Sequence, residues 1–390
     1  MAVTGRGRIW SRSLVLLAAA IFLLSLGTGL QNGVNTNFMK ELGLSGSQVL
    51  LQAGIREIPG LCLMFIAALV MHLPLTWRSV ASVLLMGVGY ALYATVHSWM
   101  ALVVVSLTAS LGFHLWMPLN STLALGLVSK ENAGRVLGTL ASVAALASMA
   151  GIGSILLFSR WFSLRTLAGI AGVLIIAAAI VLSRLPKNIG ETKKTQPRLL
   201  FRGRYWLYYV LLLFEGSRTQ VFFAFNTMVL VYNFGLSALQ ISGLLLASGL
   251  VNFMLAQQLG RLLDIAGERI TLTVGYVALA LCFVGYATVQ NVWFLGTMVI
   301  CINLLVTLSM GLSTYVNRIA PPEELTPTLS TGVSINHITS VGMSFVAGVL
   351  LPIIGYKALC WGAVIIIVLS VPFALAIRTY RPKPSSLAVE

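Results

Sequence analysis

The sequence GRLLDIAGERITL, residues 260–272, sets four charged side chains between two long apolar runs. Gly260 has no side chain and would let two helices approach closely, and Gly267 permits a tight turn. Asp264 can face the start of a neighbouring helix, where the helix dipole stabilises a carboxylate. The stretch therefore predicts a short loop that joins two apolar helices.

Apolar runs like those beside this loop recur along the whole chain, at the length of about 20 residues that crosses a bilayer. The composition agrees, because 58% of the 390 residues are hydrophobic and 9% are charged, whereas soluble domains carry about 25% charged residues. We therefore predict an all-α membrane protein. The twelve predicted transmembrane helices are 13–38, 46–71, 79–96, 98–127, 134–158, 163–185, 204–232, 238–263, 269–288, 290–317, 326–350 and 355–378.

The net charge of +15 would suggest a nucleic-acid partner in a soluble protein. Here the basic residues follow the topology instead, because a cytoplasmic N-terminus places nearly all of them in inner segments, as the positive-inside rule requires. We predict an integral plasma-membrane protein of the bacterial inner-membrane type, with both termini cytoplasmic, no nucleic-acid partner and an attraction to anionic membrane lipids. The predicted outer loops hold only Lys40, Arg160, Arg165 and Lys357.

The longest break between apolar runs is the basic stretch RLPKNIGETKKTQPRLLFRGR, residues 184–204, which separates six spans from six. Sliding the second half back by about 191 residues places its spans and loops on those of the first half, a repeat typical of secondary transporters. The predicted domains are an N-terminal six-helix bundle, a cytoplasmic linker and a C-terminal six-helix bundle. Their boundaries are 1–185, 186–203 and 204–390.

The loop at 260–272 resembles the cytoplasmic signature of the major facilitator superfamily. This resemblance implies twelve helices in two pseudo-symmetric six-helix bundles that open alternately to the two sides of the membrane. It also implies a gating role for Gly260, Asp264, Gly267 and Arg269. The first half departs from the signature, since residues 68–78, ALVMHLPLTWR, lack both the glycines and the aspartate.

Two further features weigh against a drug:proton antiporter of that family. The fourth span has no arginine upstream of Gly112, where proton-coupled drug exporters of the family usually carry one. The fifth span contains no proline, unlike the antiporter signature.

Four spans carry polar residues with a spacing of three or four, so each set forms one stripe that must avoid lipid. These are the first, fourth, seventh and tenth spans, which line the central cavity in the family that the chain resembles. The stripes are Thr28, Gln31, Asn32 and Asn35; Ser110, His114, Met117 and Ser121; Glu215, Arg218, Phe222 and Asn226; and Asn303, Thr307, Thr314 and Asn317.

Ionisable residues at mid-membrane depth are costly and usually functional. The acidic residues near the middle of the predicted spans are Glu57 and Glu215, and the basic residues there are Arg56 and Arg218. Glu215 and Arg218 can pair along one helix, so a structural ion pair is the alternative to a functional site. The polar asparagines and histidines likewise have packing roles as alternatives.

We predict a secondary transporter for a small anionic or zwitterionic solute, with proton coupling as an option. Efflux of amphipathic drugs or lipids is the alternative. The predicted substrate-binding residues are Arg56, Arg218, Asn32, Asn35, His114, Phe222, Asn226, Asn303 and Asn336, and the predicted proton-coupling residues are Glu57, Glu215 and His337.

No enzyme is predicted, because HExxH and GxSxG motifs are absent from the sequence and its single aspartate, Asp264, cannot form an aspartate pair. The four cysteines lie in apolar spans without a CxxC pair. No metal or other cofactor is therefore predicted. The expected partners are the small-molecule substrate, protons and membrane lipids, and a monomer is expected.

Overall fold

The computed structural model describes residues 10–70, 72–128, 132–187, 189 and 201–378. These residues form α-helices joined by short turns, and no strand occurs among them. The helices are α1 Arg12–Glu41, α2 Gly46–Leu61, α3 Leu63–Val70, α4 Leu75–Leu92, α5 Trp99–Gly126, α6 Ala133–Phe158, α7 Leu164–Leu182, α8 Trp206–Asn233, α9 Ala238–Thr288, α10 Val292–Val306, α11 Met310–Ile319 and α12 Pro322–Leu375.

Several helices begin at a serine whose hydroxyl accepts a backbone N–H that the helix leaves without a partner. Ser45 and Gln48 form a reciprocal capping box at the start of α2, and Ser163 caps α7. Each cap contributes about 1 kcal/mol. These residues fix where the chain enters the helix after each short turn.

Two long helical runs are broken by a glycine in a conformation that other residues adopt with strain. Gly267 has φ 76° and ψ 167° within α9, and Gly355 has φ 76° and ψ 168° within α12. The tight turn that the sequence predicted at Gly267 is therefore present. It separates α9 into two sections that match predicted spans 238–263 and 269–288.

Among the described residues, eight helical segments are long and apolar enough to cross a membrane. The chain is therefore an all-helical integral membrane protein. The count of twelve transmembrane helices, their grouping in two six-helix bundles and the cytoplasmic placement of both termini stay predictions. The eight segments are Arg12–Glu41, Leu75–Thr95, Trp99–Gly126, Arg135–Phe158, Leu164–Leu182, Ala238–Thr288, Val292–Ile319 and Pro327–Leu375.

The chain forms two compact units, and their boundary passes through two helices. Unit 1 contains Met1–Thr195 and Ala224–Ala247, and unit 2 contains Gln196–Phe223 and Ser248–Glu390. The predicted domain boundaries at 185 and 204 stay a prediction. Most of the predicted linker, including Lys193 and Lys194, lies outside the described residues.

Small residues allow the helices of unit 1 to pack closely, which is the usual basis of helix association in membranes. A Cβ atom at Gly29 of α1 would lie 2.1 Å from the carbonyl oxygen of Ser148 in α6. A Cβ at Gly172 of α7 would lie 2.0 Å from the backbone nitrogen of Ala91 in α4. These contacts hold α1 against α6 and α4 against α7, and so fix the frame in which the polar residues of unit 1 sit.

Candidate functional site

A cluster of polar side chains joins α2 to α5 in unit 1. Ser110 and His114 lie one turn apart on α5, and the Ser110 hydroxyl donates to the carbonyl oxygen of Arg56. The Nε2 atom of His114 lies 3.6 Å from Oε2 of Glu57. His114 is buried, and Glu57 is partly exposed. The structure thus brings together three sequence-predicted site residues, Arg56, Glu57 and His114.

The hydrogen-bond pattern fixes which nitrogen of His114 carries a hydrogen. Nδ1 lies 2.9 Å from the carbonyl oxygen of Ser110, and a carbonyl oxygen can only accept. We therefore assign the hydrogen to Nδ1, which leaves Nε2 facing the Glu57 carboxyl group. Two acceptors facing each other repel, so the pair is favourable when one proton lies on Nε2 or on Glu57.

The guanidinium of Arg56 is poorly satisfied. In the part of the chain that the structure describes, it makes one hydrogen bond, from Nη2 to the Tyr90 hydroxyl at 3.5 Å, which is beyond the usual distance. The adjacent carboxylate, Glu57, is directed to His114 instead. A positive charge about 15 Å along α2 from its start at Gly46 is thus left without a carboxylate in ion-pair contact among the described residues.

A further link between α2 and α5 lies one turn closer to the start of both helices. The Gln52 amide donates to the hydroxyl of Ser106. Sequence reasoning missed Gln52, Ser106 and Tyr90. The repeat of polar residues every fourth position along both helices is the signal that could have found the first two.

Helix α1 presents polar side chains on two faces. Asn32 is exposed and Asn35 is partly exposed. A polar side chain within a membrane span avoids lipid when it lines a water-filled space. Gln31 is buried, and both polar atoms of its amide lack a partner among the described residues. Asn32 and Asn35 are thus accessible at the surface of the described structure, and their substrate role stays a prediction.

The C-terminal end of α1 and the loop after it are bonded to the last turns of α8 and the loop after α8, all within unit 1. This region includes the predicted substrate residue Asn226, which is buried. The contacts join Thr36 to Thr227 at 3.0 Å, the Asn37 amide to the Leu236 carbonyl at 2.9 Å, Lys40 Nζ to the Val231 carbonyl at 2.6 Å, and the Tyr232 hydroxyl to the Leu44 carbonyl at 2.7 Å.

In unit 2, Glu215 and Arg218 form an ion pair within α8. Arg218 is only 4% exposed, and its guanidinium carbon lies 4.1 Å from the ring centre of Tyr276 in α9. Phe222 continues this face and packs on Phe283 with the ring centres 4.2 Å apart. The stripe that the sequence identified therefore packs on the second section of α9.

One atom of this buried pair is left unsatisfied, because Nη1 of Arg218 has no hydrogen-bond partner among the described residues. A different face of α8 packs on α12, where a Cβ at Gly216 would lie 2.4 Å from the Asn336 carbonyl oxygen. Ser340 donates to the Gly216 carbonyl at 3.0 Å. Helix α8 is thus enclosed by α9 and α12 at the level of the pair.

The other predicted residues of unit 2 lie on α10 and α12. The Asn303 amide donates to Ser248 of α9 at 2.9 Å, and Thr307 donates to Asn252 at 3.0 Å. Asn336 and His337 are partly exposed on α12. Asn303 therefore has a hydrogen-bond partner on a neighbouring helix, which is compatible with a packing role.

The loop at 260–272 departs in two ways from its predicted contacts. No described atom lies within 4 Å of the Cβ position at Gly260, so the close helix approach predicted there was wrong. Asp264 and Arg269 are exposed, whereas Glu268 is buried and pairs with Arg318 at 2.9 Å. The gating role of the loop stays a prediction, and Glu268 is a residue that sequence reasoning missed.

Comparison with known proteins tests the fold. The crystal structure of the nucleoside transporter NupG superposes with a TM-score of 0.75 at 15% identity, covering 94% of this chain and 98% of that chain. A bacterial homologue of the human lysosomal transporter Spinster, inward-facing and occupied, gives 0.72 at 13% identity and covers 95% and 97%. The D-xylose-proton symporter gives 0.71 at 12% identity and covers 93% and 97%.

Identities this low show a shared fold and nothing about the substrate. No curated protein sequence matches the chain. The sequence model of the Major Facilitator Superfamily matches residues 17–326. Since this match spans most of the chain, the protein belongs to the major facilitator superfamily.

Proposed function

We propose that this protein is a secondary transporter that moves a small anionic or zwitterionic solute by alternating access, with a proton bound beside the solute. The family and its transporter neighbours indicate a transporter rather than an enzyme. The finer assignment rests on the polar cluster of α2 and α5. The observation that carries it is the guanidinium of Arg56, which has one long hydrogen bond and no carboxylate in ion-pair contact among the described residues.

An unpaired guanidinium inside a membrane protein costs several kcal/mol unless an anion or water satisfies it. Arginine has five N–H donors in a planar fork that matches a carboxylate or a phosphate. Arg56 uses one donor in a weak bond to Tyr90. The remaining donors suit an anionic group of the solute, and Asn32 and Asn35 offer amides for its neutral polar groups.

The Glu57–His114 pair explains how a proton and an anion would bind together. When the pair holds one shared proton its net charge is zero, and Arg56 leaves the cluster with one positive charge that an anion neutralises. When that proton leaves, the pair is negative and the cluster is neutral before any anion arrives. Anion binding is therefore favoured by protonation of the pair, which is the linkage that a symporter requires.

The remaining site predictions carry less support. Glu215 and Arg218 form an ion pair within α8, which favours the structural alternative for that pair. Their substrate and proton roles, and those of Phe222, Asn226, Asn303, Asn336 and His337, stay predictions.

Efflux of amphipathic compounds is the second candidate function. It is favoured by Phe113 and Met117, which are exposed on α5 beside His114. Apolar side chains next to a polar cluster suit a lipophilic cation or a lipid better than a hydrophilic anion. The two candidates differ in the ligand class that binds, so one binding experiment separates them.

A thermal-shift screen of the purified protein tests the ligand class. Carboxylates and phosphates of small hydrophilic solutes should raise the stability, by about 2.7 kcal/mol at a concentration of 100 times Kd. The matched control for each carboxylate is its uncharged amide, which should leave the thermal midpoint of the protein unchanged. Stabilisation by lipophilic cations alone, or equal stabilisation by acid and amide, would contradict an anion site at Arg56.

The proton linkage predicts how anion affinity depends on pH. Over the range in which the pair loses its proton, affinity should fall about tenfold per pH unit for a single linked proton. Glu57→Gln cannot lose that proton, so its affinity should vary much less with pH. Binding would be measured by calorimetry with the anion that stabilises the unmodified protein.

The control takes account of the other ionisable groups. In unit 1, His114 contacts Glu57, Tyr90 contacts Arg56, and Tyr93 also lies near the Arg56 charge. In unit 2, His337 is the histidine that the sequence predicted as a proton-coupling residue. His337→Asn should keep the pH dependence. If Glu57→Gln keeps the full dependence and His337→Asn abolishes it, the proton is not held by the Glu57–His114 pair.

A further inference from the structure

Two arginines of unit 2 share one carboxylate just before the start of α8. Arg202 Nη1 lies 3.0 Å from Oε1 of Glu324, and Arg204 pairs with Oε2 of the same carboxylate. The Tyr205 hydroxyl donates to that second oxygen at 2.8 Å. Glu324 is thus held by three donors from one short segment.

The charges of this group do not balance. Arg204, and after it Tyr205 and Arg202, hold the pKa of the Glu324 carboxyl below its ordinary value, so Glu324 is ionised at neutral pH and the two arginines leave one net positive charge. The side chains of Arg202 and Arg204 are 53% and 50% exposed. Each guanidinium has five donors, and contact with one carboxylate leaves most of them free for another acceptor.

Exposed aromatic side chains flank the two arginines. Phe201 is 75% exposed and Trp206 is 54% exposed. Phe201 stacks on Tyr209, with ring centres 4.8 Å apart and planes 9° apart, so its position is fixed although its outer surface is open. The sequence predicts a membrane span at 204–232, and aromatic rings beside basic residues at the end of such a span lie at the level of the lipid headgroups.

We propose that Arg202 and Arg204 bind the phosphate of an anionic phospholipid, with Phe201 and Trp206 against the glycerol and upper acyl chain. Two guanidinium groups bind a phosphodiester through paired hydrogen bonds, and its single negative charge neutralises the excess charge of the cluster. A lipid is favoured over a soluble phosphate because a soluble ion would leave both aromatic surfaces in water.

Glu324 sets the strength of this site, because it competes with the phosphate for the same donors. Glu324→Gln raises the net charge of the cluster from one to two and releases both guanidinium groups. Lipid binding should then become several-fold tighter. If the cluster only held the ends of α8 and α12 together, the same change would loosen the structure and leave lipid affinity unchanged.

Native mass spectrometry of the purified full-length protein tests the proposal. Phosphatidylglycerol should be retained in preference to phosphatidylcholine of the same acyl chains. Arg202→Gln/Arg204→Gln should lower the retention of phosphatidylglycerol at least tenfold. The matched control is Arg160→Gln/Arg184→Gln, which removes two exposed arginines with no ion pair among the described residues. It should leave retention unchanged.

Two further measurements keep the proposal falsifiable. Arg202→Lys/Arg204→Lys preserves charge and should retain phosphatidylglycerol with reduced affinity, even if the glutamine variant fails to fold. Glycerol phosphate, which has the headgroup without acyl chains, should not displace the lipid. Equal retention by the glutamine variant, unchanged affinity in Glu324→Gln, equal retention of both lipids, or displacement by glycerol phosphate would overturn the proposal.

Discussion

Replacing Arg218 with alanine is expected to destabilise the protein by about 3–5 kcal/mol, the usual cost of removing one partner of a buried ion pair. Glu215 would keep a carboxylate in a buried position with its ion-pair partner removed, and Tyr276 would lose the guanidinium that stacks on its ring. The loss would appear as a lower midpoint in thermal unfolding of the detergent-purified protein. Ser217→Ala is the matched control in the same helix, because among the described residues the hydrogen bond of the Ser217 hydroxyl is to the Leu213 carbonyl of its own helix.

The double variant Glu215→Gln/Arg218→Gln removes both charges and keeps the polar bulk. It should recover most of the stability that Arg218→Ala loses, because no unpaired charge remains in the interior. If the double variant is as unstable as the single one, the ion pair is not the source of the effect. A double variant that is stable but no longer binds the solute would restore the predicted substrate role of Arg218.

If the solute is an anion, as proposed, Arg56→Gln should lower its affinity by at least about thirtyfold, which corresponds to the loss of about 2 kcal/mol from a buried charge pair. The guanidinium supplies the one positive charge of its cluster that no carboxylate of the described residues pairs with. The measurement is saturable uptake into proteoliposomes of the carboxylate or phosphate that stabilises the unmodified protein.

Arg160→Gln is the matched control for Arg56→Gln, since Arg160 is exposed in the turn between α6 and α7. It should transport like the unmodified protein. Arg56→Lys keeps the charge without the planar fork and should retain part of the affinity. If Arg56→Gln keeps full affinity while its fold and thermal midpoint are unchanged, Arg56 does not bind the solute.

The helical architecture could be predicted because hydrophobic length and charge placement are local properties of a membrane sequence. The turn at Gly267 was predictable for the same reason, since a glycine between two apolar runs permits the positive φ that the turn requires. Two features of this loop were not predictable: the open space at the Cβ position of Gly260 and the ion pair of Glu268 with Arg318. They depend on which helix lies beside the loop, and no local pattern specifies that neighbour.

The candidate site shows the same limit at the level of single residues. Spacing placed Glu215, Arg218 and Phe222 on one face of α8, but it could not show that this face meets Tyr276 and Phe283 of α9. Periodicity identifies residues that share one face of a helix, but it does not identify the helix that packs on that face.

The pairing of Glu57 with His114 depends on the register between α2 and α5. That register is set by contacts over the whole length of both helices. The sequence therefore identified Glu57 and His114 as candidate site residues but could not show that they contact each other.

The division of the chain into units has a consequence for the order of synthesis. Residues 224–247 belong to unit 1, although the chain reaches them only after it has begun unit 2. At about 5–20 residues per second, the roughly 50 residues after Thr195 take about 3–10 s to emerge. During that interval Lys40 and Asn37 lack the carbonyl groups that they bind in the finished protein. Unit 1 therefore cannot complete these contacts until α8 and the start of α9 have been synthesised.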